Sequence, residues 1–377
     1  MNYFLIIFLA FAISFAVTPF AIRLAPKIGA MDIPKDKRRM HSKPMPRFGG
    51  LSIFLGTEIA LAVFLHSDPK VLTILLGGAC IYAIGAVDDI RGMSARVKFA
   101  LQIAAAIVVY IRGIQIEFVK NPFDEEAYIF FPGWLSFLIT VLWVVSITNT
   151  VNLIDGLDGL AAGVAAIASG CIAYTAVLSG QFEVGLAMLA VSGGALGFLP
   201  YNFHPAKIFM GDSGSLFLGF MIAVISILGS TKGATLIATI VPFLVLGLPI
   251  FDTIFAIIRR WVNGYPIMRA DKGHIHHRIM ATGIGQRRTV LIMYCICAIM
   301  GAVAILVVQR MMVEAILLVL VAVILVCVFI ADHASVKEIF REGIPPEQIG
   351  MMSRKNREAS RNAATAARAK EQEKKES

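Results

Sequence analysis

Charge is scarce in this chain. Asp, Glu, Lys and Arg make up 16% of its 377 residues, against about 25% in an ordinary soluble domain. A soluble fold of this length would need more charge to cover its surface. Cysteine is scarce too. Cys80, Cys171, Cys295, Cys297 and Cys327 all lie in apolar stretches. Cys295 and Cys297 are two apart on an expected helix and point to nearly opposite faces, a poor geometry for a disulfide or a metal. They read as small buried hydrophobes. The chain has no G-x-x-x-x-G-K-[ST] loop, which argues against P-loop nucleotide binding. No Ser/His/Asp or Cys/His set has the context of a nucleophile. The first apolar segment, 3–25, has no basic region ahead of it and is too long for a leader peptide. It reads as a retained span.

Apolar sequence fills the space that charge leaves. Hydrophobic residues make up 58% of the chain, and uncharged runs of roughly 18 residues recur throughout. The expected fold is an all-α polytopic membrane protein of about eleven spans. Their limits are 3–25, 49–65, 71–87, 97–111, 134–149, 160–178, 182–199, 215–229, 234–258, 289–308 and 313–331. The connecting segments alternate in character. All but five of the 34 Lys and Arg residues fall in one alternate set or at its helix ends; the five are Lys70, Arg112, Lys120, Lys232 and Arg310. The positive-inside rule places the basic set in the cytoplasm. The N-terminus is then outside and the C-terminus inside. Topology accounts for the net charge of +9, so a nucleic-acid partner is not expected. Residues 112–133 carry a β-like run and suggest a short external β-hairpin. Residues 1–335 form the transmembrane domain, and 336–377 a basic cytoplasmic tail, helical or disordered.

The polar groups of interest gather on the cytoplasmic side, whereas a transporter should carry ionisable groups near mid-membrane. Asp88 and Asp89 close the third span. Adjacent carboxylates at a helix C-terminus need an answering cation; Arg91, Arg96, Lys98 or a metal could supply it. Asn149, Asn152, Asp155 and Asp158 recur every third residue, and Gly156 and Gly159 suggest a chain that turns back over a site. Such hard oxygen groups suit Mg²⁺ shared with substrate phosphates. Asn202 to Ser215 contains Phe209, able to stack on a base, and Asp212, placed to hold a metal. Ser213 or Ser215 could cap the eighth span, with its amides facing an anion. Lys272 to Arg278 holds His274, His276 and His277 beside Arg278, a set suited to phosphate or sugar. Lys43 and Arg47 lie in a first loop that ends in Pro-Arg-Phe-Gly-Gly, shaped for an anion. Asp252 is an intramembrane carboxylate and therefore a functional candidate.

Together, His41 to Gly50, Asp88-Asp89, Asn149 to Gly159, Asn202 to Ser215 and His274 to His277 resemble the polyprenyl-phosphate N-acetylhexosamine-1-phosphate transferases. The resemblance covers roughly residues 1 to 330. It implies that undecaprenyl phosphate attacks the β-phosphorus of a UDP-N-acetylhexosamine, that UMP leaves, and that Mg²⁺ or Mn²⁺ is required. It also implies Asn152 and Asp212 as metal contacts and Asp88 and Asp89 as catalytic carboxylates, with Lys98 as a phosphate partner. Phe209 and Asn202 fall on the uridine side, and Asp155 and Asp158 line the same cleft. The His-Ile-His-His-Arg run resembles the branch that uses UDP-N-acetylglucosamine and starts teichoic acid or related surface glycans in the bacterial cell membrane. The alternatives are the UDP-N-acetylmuramoyl-pentapeptide branch and, from another class, an anion transporter. The CDP-alcohol phosphotransferases need Ala-Arg after Asp-Gly, and Asp158-Gly159 is followed by Leu160-Ala161. A homodimer is open to such a protein.

Overall fold

The computed structural model describes residues 3–33, 44–66, 69–120, 128–230, 241–262, 278–280 and 283–332. Within them the chain is a helical bundle with two small hairpins. Helix α1 (Tyr3–Ile28) leads into β1 (Met31–Asp32), which pairs antiparallel with β2 (Met45–Pro46). Three helices follow: α2 (Gly50–Leu65), α3 (Pro69–Arg91) and α4 (Ala95–Ile111). The second hairpin pairs β3 (Phe118–Lys120) with β4 (Tyr128–Phe130), as the sequence suggests. Next come α5 (Gly133–Ile154), α6 (Leu160–Leu178), α7 (Phe182–Asn202) and α8 (Gly211–Ser230). Then follow α9 (Gly247–Val262), α10 (Gln286–Val308) and α11 (Met312–Asp332).

Most of these helices are apolar all round, which in a folded chain means contact with lipid or with other helices on every side. Seven are long and apolar enough to cross a membrane: α1, α3, α5, α6, α7, α8 and α10. Their number and apolarity make this a multi-pass membrane protein. Helices α2, α4 and α9, of 16, 17 and 16 residues, are shorter than the ~20 residues of an upright span.

Helix α8 is the axis of the bundle, almost wholly enclosed by α2, α3, α5, α6 and α7. Lipid offers no hydrophobic drive for helix association, so close backbone contact has to supply it. Small residues make that contact possible. Gly193 and Gly197 of α7 sit against the carbonyls of Ile7 and Phe11 in α1, and Gly56 of α2 sits against that of Ala10. The Ala- and Gly-rich α6 is largely buried, between α7 and α10.

An acidic residue that the sequence reading did not single out interrupts one apolar run: Glu58 lies in the middle of α2 against Gly78 of α3. Its Oε1 is enclosed and has no hydrogen-bond partner among the described residues. A single Glu in an apolar run barely lowers the run's hydropathy, so the pattern hides it.

Candidate active site

Asp88 and Asp89 end α3 because the helix stops at Arg91 and Gly92 turns with φ +73°. Neighbours in sequence, they face different partners. Asp89 is buried, with its side chain fully enclosed. Its Oδ1 accepts from the Asp212 amide at 2.8 Å and its Oδ2 from the Ser213 amide at 2.9 Å. It therefore caps α8 from another helix. Ser213 and Ser215 do not cap it: Ser213 Oγ turns to Met210 O, and Ser215 Oγ to Gly211 O. The expectation that these amides face a bound anion is corrected, since a carboxylate of the chain itself already satisfies them. Gly211 permits this arrangement. It has φ +71°, and a Cβ there would meet the Asp89 carboxylate. Gly85, one turn before Asp89, lets α3 press on the Ser213 backbone.

The first loop reaches the same place by backbone pairing. Gly49 N–H donates to Phe209 O at 3.0 Å, Gly50 N–H to Met210 O at 2.8 Å, and Phe209 N–H to Pro46 O at 2.9 Å. Arg47 is thereby set between two helices. Its Nε lies 3.2 Å from Asp89 Oδ1, and its Nη2 donates to Asp212 Oδ1 at 2.7 Å. Burial disfavours the Arg47 charge, but Asp89, Asp212 and Asp155 outweigh it and hold the guanidinium above its usual range. From α4, Lys98 Nζ donates to Asp88 Oδ2 at 2.8 Å and also bonds Asp212 Oδ2. Lys98 and Arg47 are the cations that answer the paired carboxylates. Arg91 and Arg96 remain exposed.

Helix α5 continues to Ile154, past the expected limit of 149, and carries Asn152 into the cluster. Asn152 Nδ2 donates to Ser215 Oγ at 2.9 Å and to Asp212 Oδ1 at 3.3 Å. The chain then turns as expected, with Gly159 at φ +80° before α6. Asp155 faces the cleft. Burial raises its pKa to about 7; Arg47 opposes the shift, and the charges of Asp212, Asp89 and Asp158 add to it. Asp158 Oδ2 contacts His204 Nδ1 at 2.8 Å and accepts from the Ala206 amide at 3.1 Å.

These groups line a cleft of about 580 Å³ whose walls include Arg47, Lys98, Asn152, Asp155, Asp158, Asn202, Phe209 and Asp212. Asn202 is a strut rather than a free contact. Its Oδ1 accepts from Gly159 N–H at 3.0 Å and its Nδ2 donates to Ile208 O at 2.9 Å. Asp252, buried on α9, does not reach the cleft. Arg278 is exposed and is not among the lining residues. Lys43, His274, His276 and His277 lie outside the described residues. The walls also hold Asp32, His204 and Gln286, which sequence reasoning did not single out as site residues. Only His204 carried a signal, its place inside a recognised motif.

Helix α10 is tied to this region. Tyr294 hydroxyl donates to Gly159 O at 2.5 Å and lies against Gly163. Gln286 enters from the first turn of α10.

Fold and site together define a class: a helical membrane protein with a polar cleft, where one carboxylate, Asp212, is held by two cations and an amide. The comparisons narrow this. Residues 71–230 match the family described as glycosyl transferase family 4. The chain is 44% identical over 281 residues to a "probable undecaprenyl-phosphate N-acetylglucosaminyl 1-phosphate transferase" of Bacillus subtilis, covering 74% of this chain and 78% of that one. It is 37% identical over 308 residues to a "decaprenyl-phosphate N-acetylglucosaminephosphotransferase" of Mycobacterium tuberculosis, covering 72% and 74%. An "undecaprenyl-phosphate alpha-N-acetylglucosaminyl 1-phosphate transferase" of Escherichia coli is 26% identical over 297 residues, covering 76% and 79%. The chain belongs to glycosyl transferase family 4, and the resemblance read from its motifs is borne out. The matched segment runs from α3 to α8 and holds the cleft residues from Lys98 to Asp212, together with Asp88, the partner of Lys98. Arg47 lies outside it.

Proposed function

We propose that this protein transfers N-acetylglucosamine 1-phosphate from UDP-N-acetylglucosamine to undecaprenyl phosphate and releases UMP. Transferases named for that reaction match about three quarters of the chain. The structural observation that carries the reading is the ring of Arg47, Lys98 and Asn152 around Asp212. Both reactants are anionic, and two half-buried cations at one carboxylate are suited to offsetting their repulsion. A lipid-phosphate oxygen forms a bond to the β-phosphorus, the bond from that phosphorus to the bridging oxygen breaks, and UMP carries the bridging oxygen away. At neutral pH a phosphate monoester is largely dianionic already, so the acceptor needs alignment more than deprotonation. Lys98 serves as the movable cation, exchanging Asp88 or Asp212 for substrate phosphate. Arg47, clamped by Asp89 and Asp212, is a fixed one. Phe209, on the cleft wall, presents a ring to the base.

Among the described residues no three His, Cys, Asp or Glu side chains converge as a ready-made metal cage. That suits Mg²⁺ or Mn²⁺ bound through one or two protein oxygens and completed by substrate phosphates. Asp212 and Asn152 would hold it, with Asp88 adjacent. When bound, the ion would neutralise phosphate charge. Of the two paired carboxylates, Asp88 faces Lys98 and the chemistry. Asp89 positions Arg47 and α8.

The finer topology completes the proposal. The chain crosses about eleven times, with the cleft on the cytoplasmic face of a bacterial cell membrane, where UDP-sugars are available. The product starts teichoic acid or a related surface glycan. Purified protein with Mg²⁺, undecaprenyl phosphate and UDP-N-acetylglucosamine should release UMP. EDTA should stop the release, and Mg²⁺ or Mn²⁺ should restore it. Release only with the muramoyl-pentapeptide nucleotide would move the protein to the other branch. Solute uptake without UMP would make it a transporter.

A further inference from the structure

Strands β3 and β4 form a two-stranded hairpin that carries aromatic or aliphatic residues on both faces. Phe118 sits opposite Phe130, and Lys120 sits opposite Tyr128 on the same face. Val119 sits opposite Ile129 on the other. The Phe118 ring lies 5.3 Å from that of Phe130 and 5.4 Å from that of Tyr128. Phe130 and nearby Trp134 are 71% and 69% exposed. Two short strands are marginal in water, and an aqueous hairpin should turn one polar face outward.

The position explains the composition. Trp134 lies 18 residues before Asn152 on α5, about 27 Å along the axis. Ile111 ends α4 about 20 Å from Lys98. The hairpin therefore stands at the far end of the two helices that deliver Lys98 and Asn152 to the cleft. That distance is close to the ~30 Å of a hydrocarbon core. Below Trp134, the exposed Leu138 and Leu142 continue the apolar surface along α5 at helical spacing. The two helices are pinned where they meet the hairpin: Tyr110 hydroxyl donates to Gly133 O at 3.2 Å, and its ring packs edge-on against Phe137.

We propose that the β3–β4 hairpin and Trp134 form an aromatic anchor that inserts into the headgroup region of the leaflet opposite the cleft. Aromatic rings with an apolar body and a polar tip favour that zone. The anchor sets the depth of the α4–α5 pair and so the height of Lys98 and Asn152 at the other interface. This last consequence rests on the proposed reaction; the insertion itself does not.

Trp134 fluorescence, taken as the difference between wild-type and Trp134→Phe chains in nanodiscs, tests it without turnover. Lipids brominated near the carboxyl end of the acyl chain should quench that signal at least about twofold more than lipids brominated near the methyl end. Aqueous iodide should quench it little. In a Tyr128→Ser/Phe130→Ser chain, Trp134 emission should move to longer wavelength and iodide quenching should rise. Strong iodide quenching of the wild-type signal with no effect of bromolipid would overturn the proposal. Protection from both quenchers, with two chains per disc, would assign the surface to a second copy and overturn it equally.

Discussion

Asp89 spends both carboxylate oxygens on the α8 amides and the Arg47 Nε, while Asp212 stands at the cleft. The two should therefore fail differently. Asp212→Ala should lower UMP release by roughly a hundredfold or more while the protein still inserts and purifies. Asp89→Asn keeps one acceptor oxygen and loses the charge that holds Arg47, so its loss should be smaller, on the order of tenfold. A loss as deep as that of Asp212→Ala would return Asp89 to the chemistry. Arg47→Lys cannot bridge Asp89 and Asp212 at once and should also cost roughly tenfold. Asp155 makes a pH prediction. Unfolded, it ionises near its ordinary value of about 4; folded, its pKa is about 7. Between those values the folded chain binds more protons, so this group's contribution to stability falls as pH rises. With EDTA present, Asp155→Asn should raise the melting temperature more at pH 8 than at pH 5. An equal shift at both would remove Asp155 as the cause. Asp88, Asn152, Asp155 and Asp212 were legible in the sequence as polar candidates, from composition and spacing. Which carboxylate caps and which faces substrate was not, because adjacent side chains on a helix point about 100° apart.

At the scale of elements, close backbone approach holds the site together. Gly211→Ala places a methyl group on the Asp89 carboxylate at positive φ. It should cost about 1–3 kcal/mol, read as earlier unfolding in detergent, with activity lost in proportion to the displaced start of α8. Tyr294→Phe removes the hydroxyl that secures Gly159 O and should cost about 1 kcal/mol. A donor KM shifted more than kcat would link α10 to substrate binding through Gln286. In the ninth run, 234–258, α9 starts only at Gly247, but most helix positions followed from the apolar runs, because lipid demands uninterrupted helices. The extra turn of α5 to Ile154 did not, since Asn149, Thr150 and Asn152 read as loop. The Asn149 and Asn152 side chains are accommodated by Gln102, Ser215 and Asp212 on other elements. Glu58 was equally hidden.

For the whole molecule, the order of segments around α8 decides the site. The β2 end, α4, α5 and the start of α8 are far apart in sequence, yet they deliver Arg47, Lys98, Asn152 and Asp212 to one cleft, and α3 adds Asp88 behind it as the partner of Lys98. If the proposed topology holds, cysteines placed near Arg96 and near the C-terminus should both be labelled only from the cytoplasmic side, and one placed beside Trp134 only from outside. By itself, the sequence determined a multi-pass helical protein, its family and the polar residues worth testing, because lipid and phosphate chemistry each tolerate few residue types. Only the tertiary structure decided the partners. Hydrogen bonds and ion pairs across separate helices depend on distances of a few ångströms, and those arise from glycine-mediated packing around α8 rather than from any local pattern.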